Sequence, residues 1–356
     1  MREKIFRWFD ERYQIRDLQE FAAHKQVPVH SHTIWYYFGG VSMFLFIVQV
    51  LSGALLLLYY RVGEDQSYES VHFIMSQVKF GWLVRSIHSW SANLMVLSVF
   101  IHLFSVFFTK AFRKPRELTW ITGFALLLLA ITFGFSGYLL PWNELAFFAT
   151  KVGTQTIGSV PVVGEHLLRM LRGSDDVTGA TLARFFGLHI AILPGIFTII
   201  IALHLAFVQR QSMSEPESWT SLPENKKQRM PFFPNFMLRD MLLWLIVLNI
   251  LVILAVFSPW ELGAKADPFT PAPAGIKPEW YFLFAYQTLK LIPAKVLFLE
   301  GEFFGVMMFS LGGLLFALVP FWEKRIPEKH RNAVMNAFGI LLVIFLLITT
   351  IWGFRS

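Results

Sequence analysis

Seven stretches of this chain run for 20 or more residues without an Asp, Glu, Lys or Arg: 26–60, 86–109, 118–143, 185–209, 241–260, 303–322 and 332–354. An α-helix rises 1.5 Å per residue, so about 20 apolar residues cross the hydrocarbon of a bilayer. Hydrophobic residues make up 55% of the chain and charged residues 15%, against roughly 25% charged in soluble domains. A soluble fold cannot hide so much apolar surface, so the expected class is an all-α membrane protein with seven transmembrane helices. The first stretch is longer than one span needs, and its helix is expected to begin near Thr33. Residues 1–17 are charged and amphipathic and lack the apolar centre of a signal peptide, so the first stretch should remain in the membrane as a span.

The basic surplus reads as topology. Of 31 Lys and Arg, 19 lie in residues 1–33 and in the loops after the second, fourth and sixth stretches. Positive residues mark the cytoplasmic side. The expectation is a multi-pass protein of the inner (cytoplasmic) membrane, with residue 1 cytoplasmic and residue 356 on the outer side. The net charge of +7 then faces anionic lipid rather than nucleic acid. Cysteine is absent, which excludes disulfides, thioether-bound haem and thiolate-held iron–sulfur clusters in this chain. Four regions follow: an amphipathic inner-surface segment (1–32), a four-helix block (33–210), a polar inner loop (211–239) and a three-helix block with a long outer loop (240–356).

Four of the ten histidines lie inside spans. His88 and His102 are 14 residues apart on the second span; His189 and His204 are 15 apart on the fourth, which runs in the same direction. Fourteen residues climb about 21 Å and turn a side chain by about −40°, whereas 15 turn it by about +60°. Each pair therefore faces roughly one way at two depths. Pro194, between the second pair, can kink or rewind its helix and absorb the mismatch. His88 is expected to meet His189 near the outer surface, and His102 to meet His204 nearer the inner one. Facing imidazoles in hydrocarbon ask for a ligand between them, and bis-histidine iron of two non-covalent b-type haems suits the chemistry.

Glycines repeat the step. Gly39 and Gly53 on the first span, and Gly123 and Gly137 on the third, are each 14 apart. Positions without a Cβ let helices lie close to a flat macrocycle, although small residues also serve ordinary helix packing. Arg85 and Arg184, just before the outer histidines, are candidates for haem propionates. Two outer loops of about 40 residues, 144–184 and 261–302, are rich in Gly, Pro and aromatics, and long ordered loops are usually functional. The first follows Gly-Tyr-Leu-Leu-Pro-Trp-Asn-Glu at 137–144; the second contains Lys-Pro-Glu-Trp-Tyr-Phe-Leu-Phe-Ala-Tyr at 277–286.

With these residues in view, the chain resembles cytochrome b of the cytochrome bc family, the quinol:cytochrome c oxidoreductases, from about residue 28 to residue 322. The resemblance rests on the four histidines, the glycine step, the Pro-Trp loop and Pro278-Glu279-Trp280-Tyr281. It implies quinol oxidation at an outer site, with Glu279, Tyr281 and Tyr138 as the catalytic candidates and Pro141, Ala149, Pro278 and Trp280 lining the pocket. It also implies a Rieske iron–sulfur partner, a c-type cytochrome or equivalent acceptor, a homodimer of the complex, and an inner quinone site near Arg210, Arg239 and Asp240. Independently, a carboxylate in an apolar outer pocket should have a raised pKa and could take a proton from quinol.

Several positions depart from the family's mitochondrial pattern. The 15-residue histidine step and the seven spans resemble the split chloroplast type, here fused through 212–234. The position matching that type's haem-bearing cysteine is Tyr37, which leaves a non-covalent third haem as the only form open there. Gln209 stands where the mitochondrial type has an inner-site histidine, and Ala149 where many members have glycine. Two other readings fit less well. Other di-haem anchors lack the paired outer loops, and a proton-relaying transporter should place acidic residues within its spans, where this chain has none.

Overall fold

The computed structural model describes residues 1–17 and 24–356. Among these residues the fold is nearly all helix, with strands confined to two short antiparallel pairs. An amphipathic helix α1 (Arg2–Tyr13) precedes the first span, which opens with a 3-10 turn (Thr33–Tyr36) and continues as α2 (Tyr37–Leu57). Then come α3 (Ser67–Ser76), α4 (Gly81–Phe108) and α5 (Glu117–Tyr138). The first long outer loop folds into α6 (Glu144–Gly158) and α7 (Gly164–Arg172), followed by α8 (Gly179–Gly187) and α9 (Leu193–Gln211). The remaining helices are α10 (Met237–Phe257), α11 (Trp280–Leu291), α12 (Gly301–Ala317), α13 (Val319–Trp322) and α14 (Glu328–Arg355).

Among the described residues, six helices are long and apolar enough to cross a membrane: Thr33–Leu57, Gly81–Phe108, Glu117–Tyr138, Gly179–Gln211, Phe232–Phe257 and Glu328–Arg355. The sixth expected span is broken, its pieces Gly301–Ala317 and Val319–Arg325 meeting at 61°. Pro320, in the first turn of α13, has no N–H for the preceding turn and its ring clashes there, so the helix restarts in a new direction. The fourth span also differs from its expected form. It starts at Gly179, and α8 and α9 are joined by a π-helical turn, Leu188–Ile192.

The lipid-facing sides are apolar: Leu245, Ile246 and Ile253 of α10 and Leu341 and Ile348 of α14 are all exposed. Inside, α4 packs mainly on α2, α9 on α5, and α10 on both α2 and α4. One core gathers Leu103, Phe107, Phe112, Trp120 and Leu127 with Phe316, Val319 and Met335. It therefore joins the second and third spans to the last two. The 211–239 segment links the blocks in sequence, while packing makes them continuous. At the inner face, β1 (Gln26–Pro28) pairs with β2 (Arg229–Pro231), tying the start of the first span to the inner loop.

Arg113 gathers three inner segments. Its guanidinium donates to Glu323 at 2.9 and 3.0 Å, to Asn332 at 2.7 Å, and to Glu217. Glu323 is fully buried beside the α12–α13 bend. A Glu323→Gln variant keeps one acceptor, loses the charge and leaves a guanidinium donor short. We expect a loss of about 1–3 kcal/mol, read as a lower thermal midpoint in detergent, with no change if the pair is merely decorative.

Candidate functional site

The two histidine-bearing helices face each other across a slot. All four spanning histidines lie within the bundle, yet none is sealed off completely. The His88 and His189 rings are 6.4 Å apart between centroids, with planes at 74°. Two metal–imidazole bonds of about 2 Å each, added to the two rings' own radii, span a gap of this size. His102 lies near His204.

The extra residue in the fourth span is taken up at His189 itself. A π-turn inserts one residue into an α-helix, so the 15-residue separation behaves as 14 and both pairs stay in register. His189 lies inside this turn and Pro194 directly after it. The proline expected to rewind the helix thus acts next to the turn that performs the correction.

Hydroxyl groups set the imidazole tautomers. Ser52 Oγ lies 2.9 Å from His88 Nδ1, Ser136 Oγ 3.1 Å from His189 Nδ1, and Thr122 Oγ1 3.0 Å from His204 Nδ1. Each hydroxyl has one proton, and each donates it to a carbonyl of its own helix: Ser52 to Val48, Ser136 to Phe133, Thr122 to Leu118. The hydroxyl oxygen must therefore accept from Nδ1–H, which leaves the lone pair on Nε2, the atom free to bind a metal. At the fourth histidine the equivalent residue is Phe38, and His102 Nδ1 is buried without a partner.

The four glycines seat these same rings. A Cβ at Gly39 would lie 3.1 Å from His102 Cε1, at Gly53 3.2 Å from His88 Cε1, at Gly123 3.2 Å from His204 Cε1, and at Gly137 2.6 Å from His189 Cε1. The missing side chains thus make room for imidazoles. The donor set, its tautomers and the slot all fit haem iron held between paired histidines.

The arginines are placed differently. Arg85 is buried and donates to the Trp260 carbonyl at 2.5 Å and the Glu261 carbonyl at 3.3 Å, beyond the end of α10. Arg184 is exposed and donates to the carbonyls of Arg169 and Met170 in α7.

On the face that the charge rule makes the outer one lies a cavity of about 470 Å³, within the range of small-molecule sites. Tyr138, Pro278, Glu279 and Trp280 line it together with Asn93 and Leu94 of α4. Asn93 Oδ1 accepts from Trp280 Nε1 at 2.8 Å, fixing the loop to the histidine helix. Burial raises the Glu279 carboxyl above its ordinary range. Burial, followed by the charges of Glu279 and Tyr138, pushes the Tyr281 phenol up as well. Tyr281 reaches α5, where a Cβ on Gly134 would collide with its hydroxyl at 2.2 Å. Gly134 was not legible beforehand, because it falls outside the 14-residue step. Pro141 precedes α6 and Ala149 lies on it, half-buried, while Phe147 and Phe148 of that helix enter a core with Leu182 and Phe185.

At the inner end, Tyr37 is buried and stacked on Phe236, with centroids 4.5 Å apart and planes at 9°. Asp240 lies against Gly40, where a Cβ would sit 2.2 Å from its carboxylate. The Tyr37 hydroxyl, Asp240 Oδ1 and Trp244 Nε1 are buried, each without a hydrogen bond of normal geometry. Arg239 is exposed beside Tyr37, Arg210 is exposed in the last turn of α9, and Gln209 accepts from Lys25.

Comparison with known proteins agrees with this geometry. The family described as cytochrome b/b6/petB matches residues 23–212, and cytochrome b(C-terminal)/b6/petD matches residues 265–356. A cytochrome bc complex cytochrome b subunit from Chlorobaculum thiosulfatiphilum is 47% identical over 350 residues, 98% of this chain and 80% of that protein. Cytochrome b6 from Synechococcus elongatus is 41% identical over 213 residues, 60% of this chain and 99% of its own length. A solved chain of a hyperthermophilic respiratory Complex III has a TM-score of 0.79 at 27% identity, covering 98% of both chains. The chain belongs to the cytochrome b family, with the b6-like part and the C-terminal part fused in one polypeptide.

Proposed function

We propose that this chain is the membrane subunit of a quinol oxidoreductase that runs a Q-cycle through two stacked b haems. The observation that carries the reading is the pair of histidine couples at two depths, with the Glu279 cavity at the outer end. His88 and His189 would hold the outer iron; His102 and His204 would hold the inner. When bound, the haems supply a one-electron path across the membrane. The chain's own residues do the rest. Ser52, Ser136 and Thr122 keep the ligand nitrogens unprotonated, and the glycines let the rings stand upright. Glu279 accepts a proton from quinol in the outer cavity, with Tyr138 beside it. One electron leaves to a separate Rieske iron–sulfur protein and onward to a c-type cytochrome or equivalent acceptor, since this chain has no cysteine to hold such a cluster. The other electron reaches a quinone site near Asp240 and Arg239. Buried polar atoms without partners are costly, at about 1–3 kcal/mol each, and a quinone carbonyl there would satisfy the Tyr37 hydroxyl. Residue 1 lies on the cytoplasmic side, and the complex is a homodimer.

A reduced-minus-oxidised spectrum with extractable haem counted per polypeptide tests the core of this reading. We expect two b haems in the parent protein, the outer one lost in His88→Ala and the inner one weakened in His102→Ala. A folded preparation without haem overturns the electron-transfer reading.

A further inference from the structure

The outer cavity has a side facing lipid. Glu279 and Tyr138 in its wall are half-buried, but two wall residues are open to the surroundings: Leu97 on α4, 43% exposed, and Phe354 in the last turn of α14, 73% exposed. That last turn is held firmly. Lys277 Nζ, one residue before Pro278, donates to the Phe354 carbonyl at 2.8 Å. A Cβ on Gly353 would lie 3.1 Å from the Leu283 carbonyl oxygen, so α14 and α11 touch backbone to backbone there. Ser356 Oγ donates to Gln287 Oε1 of α11 at 2.9 Å. The end of α14 is thus clamped to the helix that begins at Trp280, and Phe354 stands at the mouth of the cavity as a sill between its interior and the bilayer. A molecule with a polar ring at Glu279 and an apolar tail in the membrane must pass this sill.

We propose that Phe354 is a specificity-determining contact for the apolar tail of the quinol, and that Lys277 is the positioning residue that holds it in place. The inference rests on the outer-site reading given above. It accounts for a phenylalanine at the cavity mouth and for a cation spent on a backbone carbonyl at the end of a helix, where positive charge also suits the helix dipole.

The test compares a long isoprenoid quinol with a short-tail analogue, in membranes carrying the assembled oxidoreductase. Phe354→Ala should raise the ratio of long-tail to short-tail KM about tenfold, the scale of losing a partly buried aromatic contact. The change should fall in KM rather than kcat, as loss of uniform binding requires. Lys277→Met should move the ratio in the same direction, and Lys277→Arg, which keeps the donor, should return it toward the parent value. A ratio unchanged in Phe354→Ala overturns the proposal. So does a Lys277→Met effect that Lys277→Arg does not reverse. Undiminished turnover of both quinols in Glu279→Gln overturns the outer-site reading itself, an outcome distinct from failure of the tail contact alone.

Discussion

Gly137→Ala removes the outer haem signal while the inner one persists: that is the expected result, and it follows from crowding at a single ring. The new Cβ would lie 2.6 Å from His189 Cε1 and 3.0 Å from its Nδ1, closer than carbon atoms pack. The imidazole has little freedom to retreat. Its Nδ1 is bonded to Ser136, next to Gly137 on α5, and Phe133 of the same helix meets it edge-on at 5.6 Å. Overpacking of this kind costs about 1–3 kcal/mol, and here the cost falls on the geometry of a metal ligand. The other three glycines form an internal series. Alanine at Gly39, Gly53 or Gly123 would approach its histidine at 3.1–3.2 Å, which a shift of a few tenths of an ångström relieves. Haem content and thermal midpoint should therefore fall most for Gly137 and only modestly for the rest. Equal losses at all four positions would mean that the glycines serve helix packing in general rather than the seating of rings.

The series also shows what was legible in the sequence. The 14-residue step of the glycines could be read directly, and so could the depth and pairing of the histidines, because helical rise and rotation convert spacing into position. The atoms that the glycines meet could not be read. Beside the macrocycle edge that the spacing points to, each glycine also meets the carbons and nitrogens of one imidazole. The sequence does carry a signal for this contact. Ser52, Thr122 and Ser136 each precede a step glycine, and a hydroxyl there lands on a histidine Nδ1. The π-turn at 188–192 was only half visible. The odd spacing required a correction, but periodicity cannot say whether a proline kink or an inserted residue supplies it. Gly134 and Gly40 were hidden for a different reason. Each faces one side chain from a distant segment, Tyr281 and Asp240, and no local pattern records such a contact. The break in the sixth span has no signal in composition, which counts apolar residues and is blind to the direction they take after Pro320.

Glu279→Gln should lower quinol turnover by about 10²–10⁴-fold, the range set by loss of a positioned proton acceptor, and should raise the stability of the protein wherever Glu279 is ionised in the parent. The two effects share one cause. Burial in the outer cavity holds the Glu279 carboxyl above its ordinary range, where an unperturbed glutamate titrates at about 4.3. Only the ionised form can take a proton, so parent turnover should rise with pH as Glu279 ionises and level off above its raised pKa. Glutamine should abolish this limb. Stability follows the opposite sign. A group whose folded-state pKa lies above its unfolded value stabilises the fold fully below the unfolded pKa, and that contribution is lost as pH rises through the folded pKa. The catalytically useful form is thus the less stable one, a cost expected where a charge is kept in a dry pocket for chemistry. Glutamine stays neutral at every pH and escapes this loss. Thermal midpoints of the two proteins, followed from acid pH upward, should diverge in favour of the variant as pH rises through the raised Glu279 pKa and keep a constant gap above it, while the variant's turnover stays low. A variant that loses both turnover and stability would assign Glu279 a structural hydrogen-bonding role in the loop, and the proton would have to leave quinol by another residue.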